Sequence, residues 1–332
     1  MWHKLSSMVL AAAVLLTTSF AQGGDHAAWP TNWNNWSDPA LWVTVGNPNN
    51  GNDPQTGYGS VGYTYQIGKY EVTAGQYTAF LNAVAQTDPY GLYNASMWSN
   101  TYGCKIQQSG ASGSYTYSVA ADYANRPVNY VSFWDAARFT NWLQSGDTES
   151  GAYHNVGDQA LFGRNAGAKY VIPTENEWYK SAYFDPNKPG GAGYWDYPTG
   201  VDTPAPGVDL TELTNPGNNA NYYGSLLPID SPYYTALGGE FQLSDSPYGT
   251  FDQGGNVCEW NEAILYSSSR GLRGGSFGYD SDSLLASDRN DDSPSGEISD
   301  IGFRVASVPE PGSIILLVSG AIAALLCWRR RK

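Results

Sequence analysis

From Asp185 to about residue 250 this chain consists largely of Pro, Gly, Asn, Asp and Tyr, with no periodic pattern. An aperiodic run of that length counts against a compact domain unless something other than regular structure orders it. Metal ions or dense aromatic packing could do so. Phe, Trp and Tyr make up 14% of the 332 residues, the same share as the charged residues. Side chains with so much area to bury argue against disorder. With 38 Gly and 19 Pro, the composition describes a turn-rich, loop-heavy domain.

Three segments carry helical spacing, and each opens on a capping signature that satisfies the free amides of a first turn. Thr73-Ala74-Gly75-Gln76 leads into Tyr77, Phe80, Leu81 and Val84. Ser132-Phe133-Trp134-Asp135 leads into Ala136, Phe139, Trp142 and Leu143, and Thr174-Glu175-Asn176-Glu177 into Trp178 and Ala182. Short strands are expected at 41–45, 63–67, 115–119 and 169–172. Nothing in the composition splits residues 61–307, so one domain of the α+β class is expected there. Residues 22–60, with Trp29, Trp33, Trp36 and Trp42, read as a segment wrapped onto it, and a carbohydrate platform is the alternative.

Both ends read as processing segments. Residues 1–21 run from Lys4 through an apolar stretch to Ser19-Phe20-Ala21, the pattern of a secretory signal peptide cut after Ala21. Residues 308–332 join Pro309-Glu310-Pro311 to an apolar transmembrane segment and a basic end, Arg329-Arg330-Arg331-Lys332. The positive-inside rule keeps that cluster cytoplasmic. The arrangement resembles the PEP-CTERM sorting signal. The resemblance implies export, transient anchoring in the inner membrane, cleavage by an exosortase-type enzyme, and release to the cell surface or extracellular matrix.

Setting both ends aside leaves twelve basic and thirty acidic residues, a net charge near −18. That charge disfavours nucleic acid and anionic membrane as partners, and it suits cation binding or solubility alike. Cys104 and Cys258 would lie in an oxidising compartment, either paired or as two buried free thiols; Cys327 belongs to the tail.

Six motifs run in one order through the body: Ile67-Gly68-Lys69-Tyr70-Glu71-Val72-Thr73, the segment Arg126 to Ala136, Val171 to Trp178, Gly254-Gly255-Asn256-Val257-Cys258-Glu259-Trp260, Arg273-Gly274-Gly275-Ser276-Phe277 and Gly302-Phe303-Arg304. Together they resemble the formylglycine-generating enzyme, or sulfatase-modifying factor, family. The implied fold is complex and C-type-lectin-like, with short helices, short strands and long ordered loops.

The resemblance also implies structural calcium, which takes roughly six to eight oxygen ligands. It assigns a first site to Asp252 and Glu259 with the carbonyls of Gly255 and Val257. A second would use Asn221, the carbonyl of Tyr222, Asp230 and the carbonyl of Pro232. For Glu259 a buried acid bonded within the protein is the alternative. Arg304 is expected to be scaffold, its planar fork satisfying carbonyls or a carboxylate.

The family's oxidation needs two cysteines that hold copper a few residues beyond Gly-Gly-Ser. Here those positions carry Tyr279 and Leu284. Soft thiolates suit Cu(I), whereas leucine offers no ligand and a phenol is no substitute. Copper is therefore not expected, and three histidines in the whole chain, His3 among them, cannot build an iron triad. No catalytic residue is assigned, although Asp288, Asp291, Asp292 and Asp300 fall where a cleft would lie. The expectation is a non-oxidising surface or matrix protein that binds a peptide or glycan such as exopolysaccharide; a formylglycine-type oxidoreductase is the alternative.

The released protein should lack both ends, which intact-mass measurement on material from the native host checks. A released species still carrying Trp328 and the terminal arginines would refute the processing.

Overall fold

A computed structural model describes residues 35–224 and 231–309. The expected signal peptide, Asp230 and the apolar C-terminal tail lie outside the described residues. Among the described residues no helix is long and apolar enough to cross a membrane.

The fold is α+β, with three main helices: α1 (Ala74–Val84), α2 (Phe133–Ser145) and α3 (Glu175–Tyr183). All three expected capping boxes form. Thr73 Oγ1 accepts from the Gln76 amide at 3.2 Å, while Gln76 Oε1 accepts from the Thr73 amide at 2.9 Å. Ser132 with Asp135 and Thr174 with Glu177 repeat the exchange. A four-residue helix, Ser96–Ser99, has no capping side chain and left no pattern in the sequence. Helices α1 and α2 join through aromatic faces: Tyr77 and Phe80 lie 6.1 and 5.3 Å from Phe139, which also meets Phe303 at 5.3 Å.

Two small sheets frame these helices. The first holds β1 (Trp42–Val45), β2 (Tyr65–Gly68), β3 (Tyr170–Val171) and β8 (Ala306–Ser307), in the order β1-β2-β8-β3 with every pair antiparallel. Because β1 pairs with β2 from Trp42↔Gly68 to Val45↔Tyr65, residues 35–60 belong to the same body as the rest. No structural division falls at residue 61. The second sheet is β6-β5-β4-β7, from β4 (Cys258–Leu265), β5 (Ser269–Arg273), β6 (Asn290–Asp292) and β7 (Ile301–Gly302).

Side chains do most of the ordering in the long aperiodic segment. Glu212 accepts from the Leu243 amide at 2.6 Å and from Ser244. Asn219 accepts from the Asp209 amide at 3.1 Å, and Asn256 Oδ1 from the Ala236 amide at 2.9 Å. Gln253 Nε2 donates to the Trp178 carbonyl at 3.1 Å, which ties the end of this segment to α3. These bonds replace the ladder that a sheet would supply to buried backbone groups.

Buried charge fastens α3 to the second sheet. Glu175 takes Arg273 and Arg289, each at 2.7 Å. Glu177 accepts from Arg164 at 3.1 Å, and Arg164 also reaches Glu262 at 2.7 Å. Glu259 on β4 grips Arg304 with both oxygens, at 2.6 and 2.5 Å, and accepts from Trp178 Nε1 at 2.7 Å. Arg304 spends its remaining donors on the carbonyls of Gly68 and Phe251. It is scaffold, as expected.

Removing one member of such a pair strands the other in a dry interior, at a cost of about 3–5 kcal/mol. Arg304→Met should show that loss in urea denaturation, whereas Arg304→Met combined with Glu259→Gln should lose less than the two single changes summed. Additive losses would show that the pair is not coupled.

Candidate functional site

The two glycine motifs lie against each other. The Gly255 amide donates to the Gly274 carbonyl at 2.8 Å, and Gly255 also bridges Asn221 of the long loop. Both glycines have positive φ, and a Cβ on Gly255 would sit 2.2 Å from the Asn221 carbonyl oxygen. Only glycine permits that approach. Asn256 then acts as a hub. Its amide group donates to Glu71 Oε2 at 2.7 Å, and its carbonyl accepts from the Phe277 amide at 2.9 Å. Phe277 is thereby held beside the chain leaving Gly275.

Phe277 forms one wall of a surface cavity of about 330 Å³, lined also by Tyr102, Tyr223, Gly278, Ser299 and Asp300. The ring of Tyr102 lies 5.9 Å from Phe277 and 4.5 Å from Tyr234, edge to face in the second case. Asn129 holds two walls at once, donating to the carbonyls of Tyr102 and Ser299. The motif from Arg126 to Ala136 thus reaches the cavity through a buried amide.

Asp300 supplies the cavity's charge. Its Oδ2 accepts from Ser276 Oγ at 3.1 Å. Burial raises its carboxyl above the ordinary value and Asp292 adds to this, while the Ser276 hydrogen bond opposes it. Among the described residues no lysine or arginine lines the cavity. Asp291 and Asp292 sit on β6, and Asp288 precedes it, so of the four acids flagged in the sequence only Asp300 lines this space.

The positions where the resemblance requires thiols carry different chemistry. Leu284 is wholly buried, packed with Tyr197 and Ala220. Tyr279 is half-exposed, with its carbonyl accepting from the Tyr223 amide at 2.6 Å. Cys104 and Cys258 are free, buried thiols. Burial pushes Cys104 up to about 11 and, joined by the Asp300 charge, drives Cys258 well above its ordinary value. Tyr279 and Leu284 offer no thiolate at those two positions.

The calcium ligands expected in the sequence are only partly brought together. Asp252 accepts from the Gly239 amide at 2.7 Å, while both oxygens of Glu259 are committed to Arg304. A guanidinium therefore stands where an ion at Glu259 would lie. Asn221 differs: its Oδ1 is buried without a hydrogen-bond partner, although its Nδ2 donates to Tyr234 and Asn256. Such an oxygen suits a cation or a water. Asp230 lies outside the described residues. Among the described residues no three His, Cys, Asp or Glu side chains surround one point.

Sequence reasoning passed over Tyr102, Tyr223 and Tyr234. They come from loops without periodicity, and no short motif contains them.

The fold and motif geometry agree with the comparisons. The profile of the sulfatase-modifying factor enzyme 1-like domain matches residues 36–308, and the PEP-CTERM protein-sorting motif matches residues 307–332. The chain belongs to the sulfatase-modifying factor enzyme 1-like family. Its sorting motif implies export, a membrane-anchored sorting signal and processing by an exosortase-type enzyme. Among solved structures it is similar to Treponema denticola variable protein 1, at 20% identity and a TM-score of 0.52, over 81% of this chain and 95% of that one. CarF is similar at 22% identity and a TM-score of 0.51, over 81% and 98%. These likenesses define the fold. No curated protein matches the sequence.

Proposed function

We propose that this chain is an exported surface or matrix protein whose domain binds a peptide or glycan in the cavity at Tyr102, Tyr223 and Phe277. The observation that carries this reading is the exchange of chemistry at one place. The two thiol positions hold Tyr279 and Leu284, and Tyr279 bonds through its carbonyl to Tyr223 of a cavity with aromatic walls and a single carboxylate. Aromatic faces supply large rigid contact area at low entropic cost, which suits recognition. An oxidase, by contrast, needs a redox centre for which this cleft lacks soft ligands.

Incubation with a sulfatase-type cysteine peptide should yield no formylglycine with or without added copper, as read by mass spectrometry. Copper-dependent aldehyde would overturn the reading. Binding is tested with peptide and oligosaccharide arrays. Tyr223→Ala, at a ring 53% exposed, should weaken any captured ligand about tenfold without lowering the melting temperature. Unchanged capture would place recognition elsewhere.

Structural calcium is proposed at Asn221, whose unpartnered Oδ1 and neighbouring Tyr222 carbonyl are the candidate donors. A ligand that binds only the folded state stabilises it by mass action. EDTA should therefore lower the melting temperature of the wild type, and Asn221→Ala should abolish that response while Asp252→Asn keeps it. A melting curve indifferent to EDTA would remove the site.

A further inference from the structure

The reading of the cavity as a binding site leaves its ligand undefined, and its charge narrows the choice. We infer that the cavity takes a cationic group, an alkylammonium such as a lysine side chain of a peptide, caged by Tyr102, Tyr223 and Phe277 against Asp300. The inference rests on the cavity being the binding site, and it deepens that reading.

Three observations converge on it. First, the walls are ring faces and edges from separate loops. Tyr102 and Tyr223 are 41% and 53% exposed, and Phe277 closes the inner side with a ring inclined 30° to that of Tyr102. A cation within about 6 Å of such rings is held by their quadrupoles, more strongly as water is excluded. Second, the charge on Asp300 is unanswered. It accepts a hydrogen bond from Ser276 but forms no ion pair among the described residues, and Asp292 adds negative potential behind it. Glu175 and Glu259, which are more deeply buried than Asp300, are matched to guanidinium groups. A half-buried acid without an ion-pair partner, in a cavity with no basic lining, favours the entry of a positive charge. Third, the surplus of acidic residues over the whole body repels anions and favours the approach of cations. A neutral sugar would use the rings but gain little from an ionised carboxylate. The volume of about 330 Å³ admits an ammonium with its alkyl stem.

The test uses the secreted full domain and calorimetric titration. Probes are Gly-Gly-Lys-Gly-Gly, the same peptide with norleucine for lysine, tetramethylammonium chloride and a neutral β-glucan tetrasaccharide. The lysine peptide should bind at least about tenfold tighter than its norleucine counterpart, and the preference should shrink as sodium chloride is raised. Asp300→Asn, which keeps the hydrogen bond from Ser276, should abolish the preference without changing the melting temperature, and Tyr223→Ala should reduce affinity for the cation. Tetramethylammonium binding that competes with the lysine peptide assigns recognition to the ammonium alone. Its failure to bind, with the lysine preference intact, assigns it to the peptide side chain. Equal binding of lysine and norleucine, or a preference that survives Asp300→Asn, overturns the inference. If the tetrasaccharide alone binds and Tyr223→Ala removes it, the cavity stands and its cationic assignment falls. If no probe responds to Tyr223→Ala, both fall.

Discussion

Helix α3 is fastened to the rest of the domain by buried glutamates, Glu175 and Glu177, that hold arginines from elsewhere in the chain. Four glutamates, at 175, 177, 259 and 262, meet four arginines, at 164, 273, 289 and 304, and the strands and loops between them are short. Buried pairs of this kind add little net stability relative to apolar residues, because desolvation offsets the attraction. Their effect lies in what they forbid. A one-residue slip of β4 against β7 would turn Glu259 away from Arg304 and leave both buried and unpaired. With only two ladder pairs between β4 and β7, Cys258↔Ile301 and Glu259↔Gly302, the backbone alone specifies that register weakly. The ion pairs specify it strongly.

The same logic explains which parts of the fold could be read in advance. Capping boxes are local, so Thr73, Ser132 and Thr174 announced three helices from four residues each. The strands at Trp42–Val45 and Thr116–Val119 were visible as short β-branched and aromatic runs. The ordering of the long loop was not visible. It depends on Glu212 and Asn219 meeting backbone groups up to 31 residues away, and such pairing leaves no periodic trace. Aromatic packing was a reasonable expectation for that segment, but carboxylates and amides carry much of its order.

The motifs were legible as a set while their roles were not. Glu259 reads as a metal ligand when its neighbours in sequence are considered, since acid and carbonyl donors alternate around it. In space its nearest charge is Arg304, 45 residues on, and that proximity decides its role. Asn129 shows the converse: an unremarked amide inside a motif proves to hold two walls of the cavity. Tyr102 and Tyr223 lie 121 residues apart and share no pattern, so the cavity could be found only in three dimensions.

Residues 279 and 284 stand differently with respect to the scaffold. The glycine turn at Gly274-Gly275 packs on the Gln253 carbonyl and the ring of Trp178 at Gly274, and on Ser283 and Leu284 at Gly275. Leu284 fills an apolar slot beside Tyr197, where a larger apolar side chain buries more area than a thiol would. Tyr279 stands at the rim and contributes its backbone to Tyr223. Neither side chain takes part in the ion pairs of the charge network, Leu284 being buried among apolar groups and Tyr279 standing half-exposed. Arg273, which pairs with Glu175 and also donates to the carbonyl of Ala286, carries the same network into the segment that follows the glycine turn.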